Sequence, residues 1–147
     1  MTTVASEKVP LTDIATATVD LRAGLDRLWD EVVSTGHFIG GELVDRFEEE
    51  WAAYCGTAHA VGIANGTDAL ELMLRALGIG AGDEVVVPTN TFVATVEAIV
   101  FAGAIPRFVD VDSESLLLTP EIAANAITER TAAIAVVDLY GHMPRMR

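Results

Sequence analysis

The stretch Ala58-His-Ala-Val-Gly-Ile-Ala-Asn-Gly-Thr-Asp-Ala-Leu-Glu-Leu-Met-Leu74 reads as a short apolar strand, a tight turn and a helix that begins at once. Such a turn aims the unpaired N–H groups of a first helical turn at one point beyond the strand. Those groups, together with the positive end of the helix dipole, make an anion seat suited to a phosphate. Gly66 admits close approach of the backbone, and Thr67 adds a hydroxyl donor. Small polar residues also cap helices that bind nothing, so on this segment alone a plain cap is an equal reading.

From His59 onward the chain alternates. A strand over 58–63 leads to a helix over 67–77 and the turn Gly78-Ile-Gly-Ala-Gly-Asp83. The pattern then predicts a strand over Glu84–Val87, a helix over Thr91–Ala102, a strand over Ile105–Val109, a helix over Pro120–Ile127 and a strand over Ala132–Val137. Short apolar strands separated by helices mean β-α-β crossovers, hence an α/β fold whose mainly parallel sheet is flanked by helices. Ligands of such sheets sit at the carboxyl ends of strands. Asn65-Gly66-Thr67 and Pro88-Thr-Asn-Thr-Phe92 both fall there. The second loop brings an aromatic, Phe92, that could stack on a planar ring. Periodicity by itself favours a core role for Phe92.

Upstream, residues 1–16 look irregular, with Pro10 among several threonines. Val19 to Val33 carries Leu21, Leu25, Leu28, Trp29 and Val32 at helical spacing. Gly36-His-Phe-Ile-Gly-Gly41 interrupts it, and a second helix is expected from Glu42 to Tyr54 with Leu43, Phe47, Trp51 and Tyr54 on one face. The run Glu48-Glu-Glu50 reads as a solvated face.

Composition narrows the function. The 147 residues suit one domain with a real core, and 51% hydrophobic residues suit a buried parallel sheet. A net charge of −13 argues against nucleic acid and against an anionic membrane surface. No apolar run reaches the roughly 18 residues of a membrane span, and the N-terminus lacks a signal-peptide pattern, so a cytoplasmic protein is expected. Cys55, the one cysteine, is expected to be a buried structural thiol. His37, His59 and His142 show no ligand spacing, and no metal site is expected.

Taken together and in order, several segments resemble the DegT/StrS family of pyridoxal-phosphate sugar aminotransferases. They are Thr35-Gly-His-Phe-Ile-Gly-Gly41, the Phe47-Glu48 helix, Gly62-Ile-Ala-Asn-Gly-Thr-Asp-Ala-Leu70 and Gly82-Asp-Glu-Val-Val-Val-Pro-Thr-Asn-Thr-Phe-Val-Ala-Thr95. Gly103-Ala-Ile-Pro-Arg-Phe-Val-Asp-Val-Asp112 and Asp138-Leu-Tyr-Gly141 complete the set. The resemblance implies that residues 17–147 are the N-terminal part of the large domain of a fold-type I transferase, a homodimer with active sites at the subunit interface. It implies pyridoxal 5'-phosphate as cofactor, with Gly66 and Thr67 on its phosphate and Phe92 stacked on its pyridine ring. His37 and Phe38 fall near the family's substrate entrance, where a purely structural glycine turn is an equally good reading.

The implied reaction moves an amino group from an amino-acid donor, glutamate, to a nucleotide-linked keto sugar. The family's Schiff-base lysine, and the aspartate that pairs with the pyridine nitrogen, lie downstream of the Asp138–Gly141 landmark. The chain's one lysine, Lys8, matches no family lysine, so no catalytic residue is assigned and the 147 residues are expected to be inactive alone. Two other readings remain: a dehydratase of the same family, with histidine in place of the lysine, and a non-catalytic binding or regulatory module on the same fold. A nicotinamide-binding domain is disfavoured, because Gly62-Ile-Ala-Asn-Gly66 does not make G-x-G-x-x-G.

Overall fold

Strand β1 (Glu84–Pro88) is buried along its whole length. A run of three valines suits this position, since a central parallel strand is covered on both faces and has no polar side. The computed structural model describes residues 10–145. The chain divides into two units, residues 1–62 and 63–147.

In the second unit β1 lies between β2 (Ile105–Val109) and β3 (Thr131–Ile134), in the order β2-β1-β3, and both pairings are parallel. Helix α3 (Gly66–Ala76) precedes β1, α4 (Val93–Phe101) joins β1 to β2, and α5 (Pro120–Ala126) joins β2 to β3. Parallel crossovers take the right-handed sense imposed by strand twist. The reversal of direction between the two crossovers therefore calls for α4 and α5 on opposite faces of the sheet. Val85 and Val87 enter one core cluster with Ile79, Ile99 and Ala104, while Val86, pointing the other way, is equally buried.

Among the described residues Glu84 is the one buried charged residue, with 3% of its surface exposed. An unpaired buried carboxylate would be costly. Here the Thr128 hydroxyl donates to Oε2 at 2.7 Å, the Arg130 guanidinium pairs with Oε1, and Arg107 approaches to 3.8 Å. The Thr128 hydrogen bond, with the positive charges of Arg130 and Arg107, holds the Glu84 carboxyl below its ordinary value against the opposing effect of burial. The backbone follows the same knot: Glu84 N–H donates to the Arg130 carbonyl at 2.8 Å, and the β1/β3 register shifts between Glu84 and Val85.

The first unit holds α1 (Ile14–Thr35) and α2 (Glu42–Cys55). Asp13 caps α1, accepting from Thr16 N–H at 3.1 Å, and Gly36, at φ 71°, ends it. The helix starts earlier than the apolar period suggested, so residues 14–16 are not irregular; residues 1–9, Lys8 among them, lie outside the described residues. On α2, Phe47, Trp51 and Tyr54 form a stacked row with ring centroids 6.0 and 5.5 Å apart.

Four further expectations need correction. Cys55 is exposed, because the last turn of α2 buries Ala52 and turns its neighbours outward. Glu48 is not simply solvated, since its Oε1 accepts the Gly62 N–H at 2.6 Å. Residues 58–63 form no strand: extended chain becomes a strand only when a neighbour supplies the matching ladder, and no described residues do so. The last strand is shorter than expected, ending at Ile134, although Ala135 N–H still donates to the Val86 carbonyl at 2.8 Å.

Two outcomes follow from this packing. Ile99→Ala, which empties the centre of the cluster, should destabilise the protein by about 2–5 kcal/mol in chemical denaturation. Glu84→Gln should lower the melting temperature most at neutral pH. A depressed carboxyl contributes stability above its unfolded value, ordinarily 4.5, and loses it as pH falls through the folded value. The melting curves of parent and variant should therefore converge on acidification; a constant separation down to full protonation would contradict this role for the charge.

Candidate active site

Two connections at the carboxyl end of β1 define the site. Helix α3 returns to the amino end of β1 through residues 77–83, so it runs against the strand, as does α4 after it. Their C-terminal ends are tied together by Arg75, whose Nη2 donates to the Phe101 carbonyl at 2.5 Å. The parallel pair therefore has its N-termini at the other end, where β1 finishes. That is where Gly66, Thr67 and Phe92 lie, at or next to the starts of α3 and α4.

At the start of α3 the cap is Asn65. Its Oδ1 accepts the Asp68 N–H at 3.0 Å, while its Nδ2 donates to the Asp68 carboxylate at 3.0 Å. This arrangement satisfies the third N–H of the helix and leaves those of Gly66 and Thr67 without a partner among the described residues. Gly66 is open, with no atom within 4 Å of where a Cβ would stand. Thr67 is half-buried, and its hydroxyl is likewise unengaged by the described residues. Two free N–H groups and a hydroxyl at the positive end of a helix fit a phosphate.

Phe92 occupies the cap position of α4 with 72% of its surface exposed, so within the described fold it is not a core residue. An exposed aromatic at the start of one helix and an open first turn at the start of its neighbour are the two groups that a planar aromatic ligand bearing a phosphate would need. The helix behind it starts at Val93 rather than Thr91 because Thr91 lies in a bend and Phe92 is extended, with Thr91 Oγ1 bonded to Thr95 Oγ1 at 2.9 Å.

His37 and Phe38 belong to the first unit. Both are exposed, in a connection where Gly36, Gly40 and Gly41 all take positive φ. Phe38 packs edge-to-face on Trp29 at 6.4 Å. These contacts are those of a helix-to-helix turn, and a substrate-side role for the pair rests on resemblance.

Three features escaped sequence reading. Asn65 as a reciprocal cap was legible in the Asn-x-x-Asp spacing. The cross-loop bond from Asn90 Nδ2 to the Leu116 carbonyl at 3.1 Å carried no sequence signal. The third is a cleft of about 620 Å3 in which Asp112, Ser115, Thr119 and Glu121 face His142 and Arg145.

The model of the DegT/DnrJ/EryC1/StrS aminotransferase family matches residues 21–147. The chain belongs to this family. It is 44% identical over 135 residues to the dTDP-3-amino-3,4,6-trideoxy-alpha-D-glucose transaminase of Streptomyces venezuelae, an alignment covering 92% of this chain and 36% of that protein. It is 50% identical over 130 residues to a UDP-N-acetyl-3-dehydro-alpha-D-glucosamine 3-aminotransferase of Acidithiobacillus ferrooxidans, covering 84% of this chain and 35% of the relative. Among solved structures, NtdA from Bacillus subtilis with bound cofactor PMP superposes with a TM-score of 0.85 at 33% identity, over 95% of this chain and 32% of that one. The expected α/β fold of these aminotransferases is thus borne out, and the chain spans about a third of the length of its relatives. Among the described residues no helix is long and apolar enough to cross a membrane.

The cap is directly testable. Asn65→Ala removes both side-chain bonds to Asp68 in the first turn of α3 and should cost about 1 kcal/mol in stability, read as a shift in the denaturation midpoint. No shift would mean that the helix start is held by other contacts.

Proposed function

We propose that this chain is the cofactor-side, N-terminal portion of a cytoplasmic pyridoxal-phosphate-dependent aminotransferase acting on a nucleotide-linked keto sugar. The observation that carries the reading is the open first turn of α3, in a chain whose relatives are named as nucleotide-sugar transaminases. Pyridoxal 5'-phosphate, when bound, supplies an electron-withdrawing ring through which an amino group can be taken from one substrate and given to another. The chain's own residues bind and orient it. The N–H groups of Gly66 and Thr67, with the Thr67 hydroxyl, hold the phosphate dianion, and the α3 dipole favours its charge. Phe92 covers one face of the ring and excludes water from it.

In the complete reaction an amino-acid donor, glutamate, gives up its nitrogen, and the keto carbon of the sugar accepts it. A homodimer would complete each site with residues from the second subunit, among which His37 and Phe38 are candidates for the substrate side. The proton-shuttling lysine that family resemblance calls for has no counterpart between Val9 and Arg147. Purified residues 1–147 incubated with cofactor and amino donor should accordingly show no turnover above that of free cofactor. Protein-dependent transamination by these residues alone would remove the need for that lysine and overturn the reading.

The phosphate and ring assignments separate in two substitutions made in the complete gene product. Thr67→Ala deletes a hydrogen bond to a charged group, worth about 1.5–3 kcal/mol, so cofactor affinity should fall about ten- to a hundredfold. Phe92→Leu keeps apolar bulk but loses stacking, worth about 0.5–1.5 kcal/mol, and should cost a few-fold to about tenfold. Cofactor titration beside a thermal melt distinguishes these from losses of stability. Unchanged affinity in both variants would refute the pocket.

A further inference from the structure

Asn90 stands two residues before Phe92 in the connection that leaves β1. Its Nδ2 donates to the carbonyl of Leu116, on the turn that follows β2, at 3.1 Å. Leu116 has φ 58°, a left-handed conformation that a branched apolar residue keeps only where its surroundings impose it.

The turn is closed from within. Leu116 N–H donates to the Asp112 carbonyl at 2.8 Å, and Asp112 N–H donates to the Leu117 carbonyl at 3.0 Å. The Asp112 carboxylate accepts from the N–H groups of Ser115 and Glu114 and from the Ser115 hydroxyl. Those bonds, led by the Ser115 N–H, hold its carboxyl below the usual range. A turn so closed is a stiff anchor, and Asn90 fastens the Phe92 loop to it. A second tether lies one residue earlier, where Thr89 N–H donates to the Val109 carbonyl at 2.9 Å.

Within the described fold Phe92 is mostly exposed, so no packing there sets the direction of its ring. The backbone that carries it must do so. We propose that Asn90 is a positioning residue, tying the loop after β1 to the Asp112–Leu117 turn so that the Phe92 ring is held in the plane needed to stack on the cofactor. This rests on the reading of Phe92 as the stacking residue. Asn90 acts through Phe92 and need not touch the cofactor.

The test uses the complete gene product in four forms: parent, Asn90→Ala, Phe92→Leu and the double variant. Three quantities are measured for each: the dissociation constant of pyridoxal phosphate, the visible circular dichroism of the bound cofactor, which follows ring orientation, and the melting temperature without cofactor. Loss of one neutral hydrogen bond should weaken binding about two- to tenfold in Asn90→Ala, with a diminished dichroic band. The double variant should bind about as well as Phe92→Leu alone, because a positioning residue has nothing left to position once the ring is gone.

Unchanged affinity and dichroism in Asn90→Ala, with weakened binding in Phe92→Leu, would overturn the positioning role and leave the pocket standing. A lower melting temperature alone would make Asn90 structural and overturn it too. Additive losses in the double variant would show that Asn90 acts independently of Phe92, against the proposal. No change in Phe92→Leu would remove the stacking role of Phe92 and this inference with it, while the phosphate seat at Gly66 and Thr67 is judged separately by Thr67→Ala.

Discussion

The burial of β1 is the constraint from which the second unit is built. A strand hydrogen-bonded along both edges and covered on both faces has no water available to any of its groups, so every polar atom on it must find a partner in the protein. The backbone meets this demand through two parallel ladders, with Ile105–Val109 on one side and Thr131–Ile134 on the other. The valines meet it by having nothing polar to satisfy. Glu84 is the exception, and Thr128, Arg130 and Arg107 converge on it from the ends and edges of neighbouring elements. The β1/β3 register shift falls at this same residue, between Glu84 and Val85.

The same strand organises the opposite end of the sheet. Because α3 enters β1 and α4 leaves it, both helices run against the strand, and both start where it finishes. The two groups of the candidate site have different requirements. A phosphate seat needs free N–H groups, which the first turn of any helix has and which Asn65 leaves open at Gly66 and Thr67 by capping only Asp68. A stacking ring needs a fixed plane, which on the proposed reading an exposed phenylalanine would obtain from the loop that bears it. The bond from Asn90 to Leu116 joins that loop to the next one along the sheet edge. The supports of the candidate site are therefore spread over the connections after β1 and β2 rather than gathered in one motif.

Much of this was legible in the residues. Alternating apolar strands and helices announced a parallel sheet, and the glycine-bounded turns placed element ends within a few residues. Pro88-Thr-Asn-Thr-Phe92 was recognisable as a loop at a carboxyl edge because strand direction follows from the βαβ pattern, whereas Asn65-Gly66-Thr67 was assigned to such an edge by an expected strand that does not form. The expected strand over 58–63 failed for a reason that the residues themselves do not carry. Its apolar pattern records a preference for extended chain, whereas pairing depends on which edge lies alongside. Cys55 misled in a similar way: a thiol is a small hydrophobe by type, but the direction in which α2 turns its last residues is a property of packing.

What the sequence by itself determined is therefore local and periodic: where helices start, which runs are apolar, the α/β class, and the residues whose order matches an aminotransferase family. These follow from short-range backbone chemistry and from spacing, and both are written along the chain. The tertiary structure decided what depends on distant residues meeting. It brought Thr128 and Arg130 to Glu84 across more than forty positions, Asn90 to Leu116 across 26, and the C-terminal end of α3 to that of α4 through Arg75 and Phe101. No local preference encodes such meetings, because each costs chain entropy that is recovered only when the whole sheet assembles.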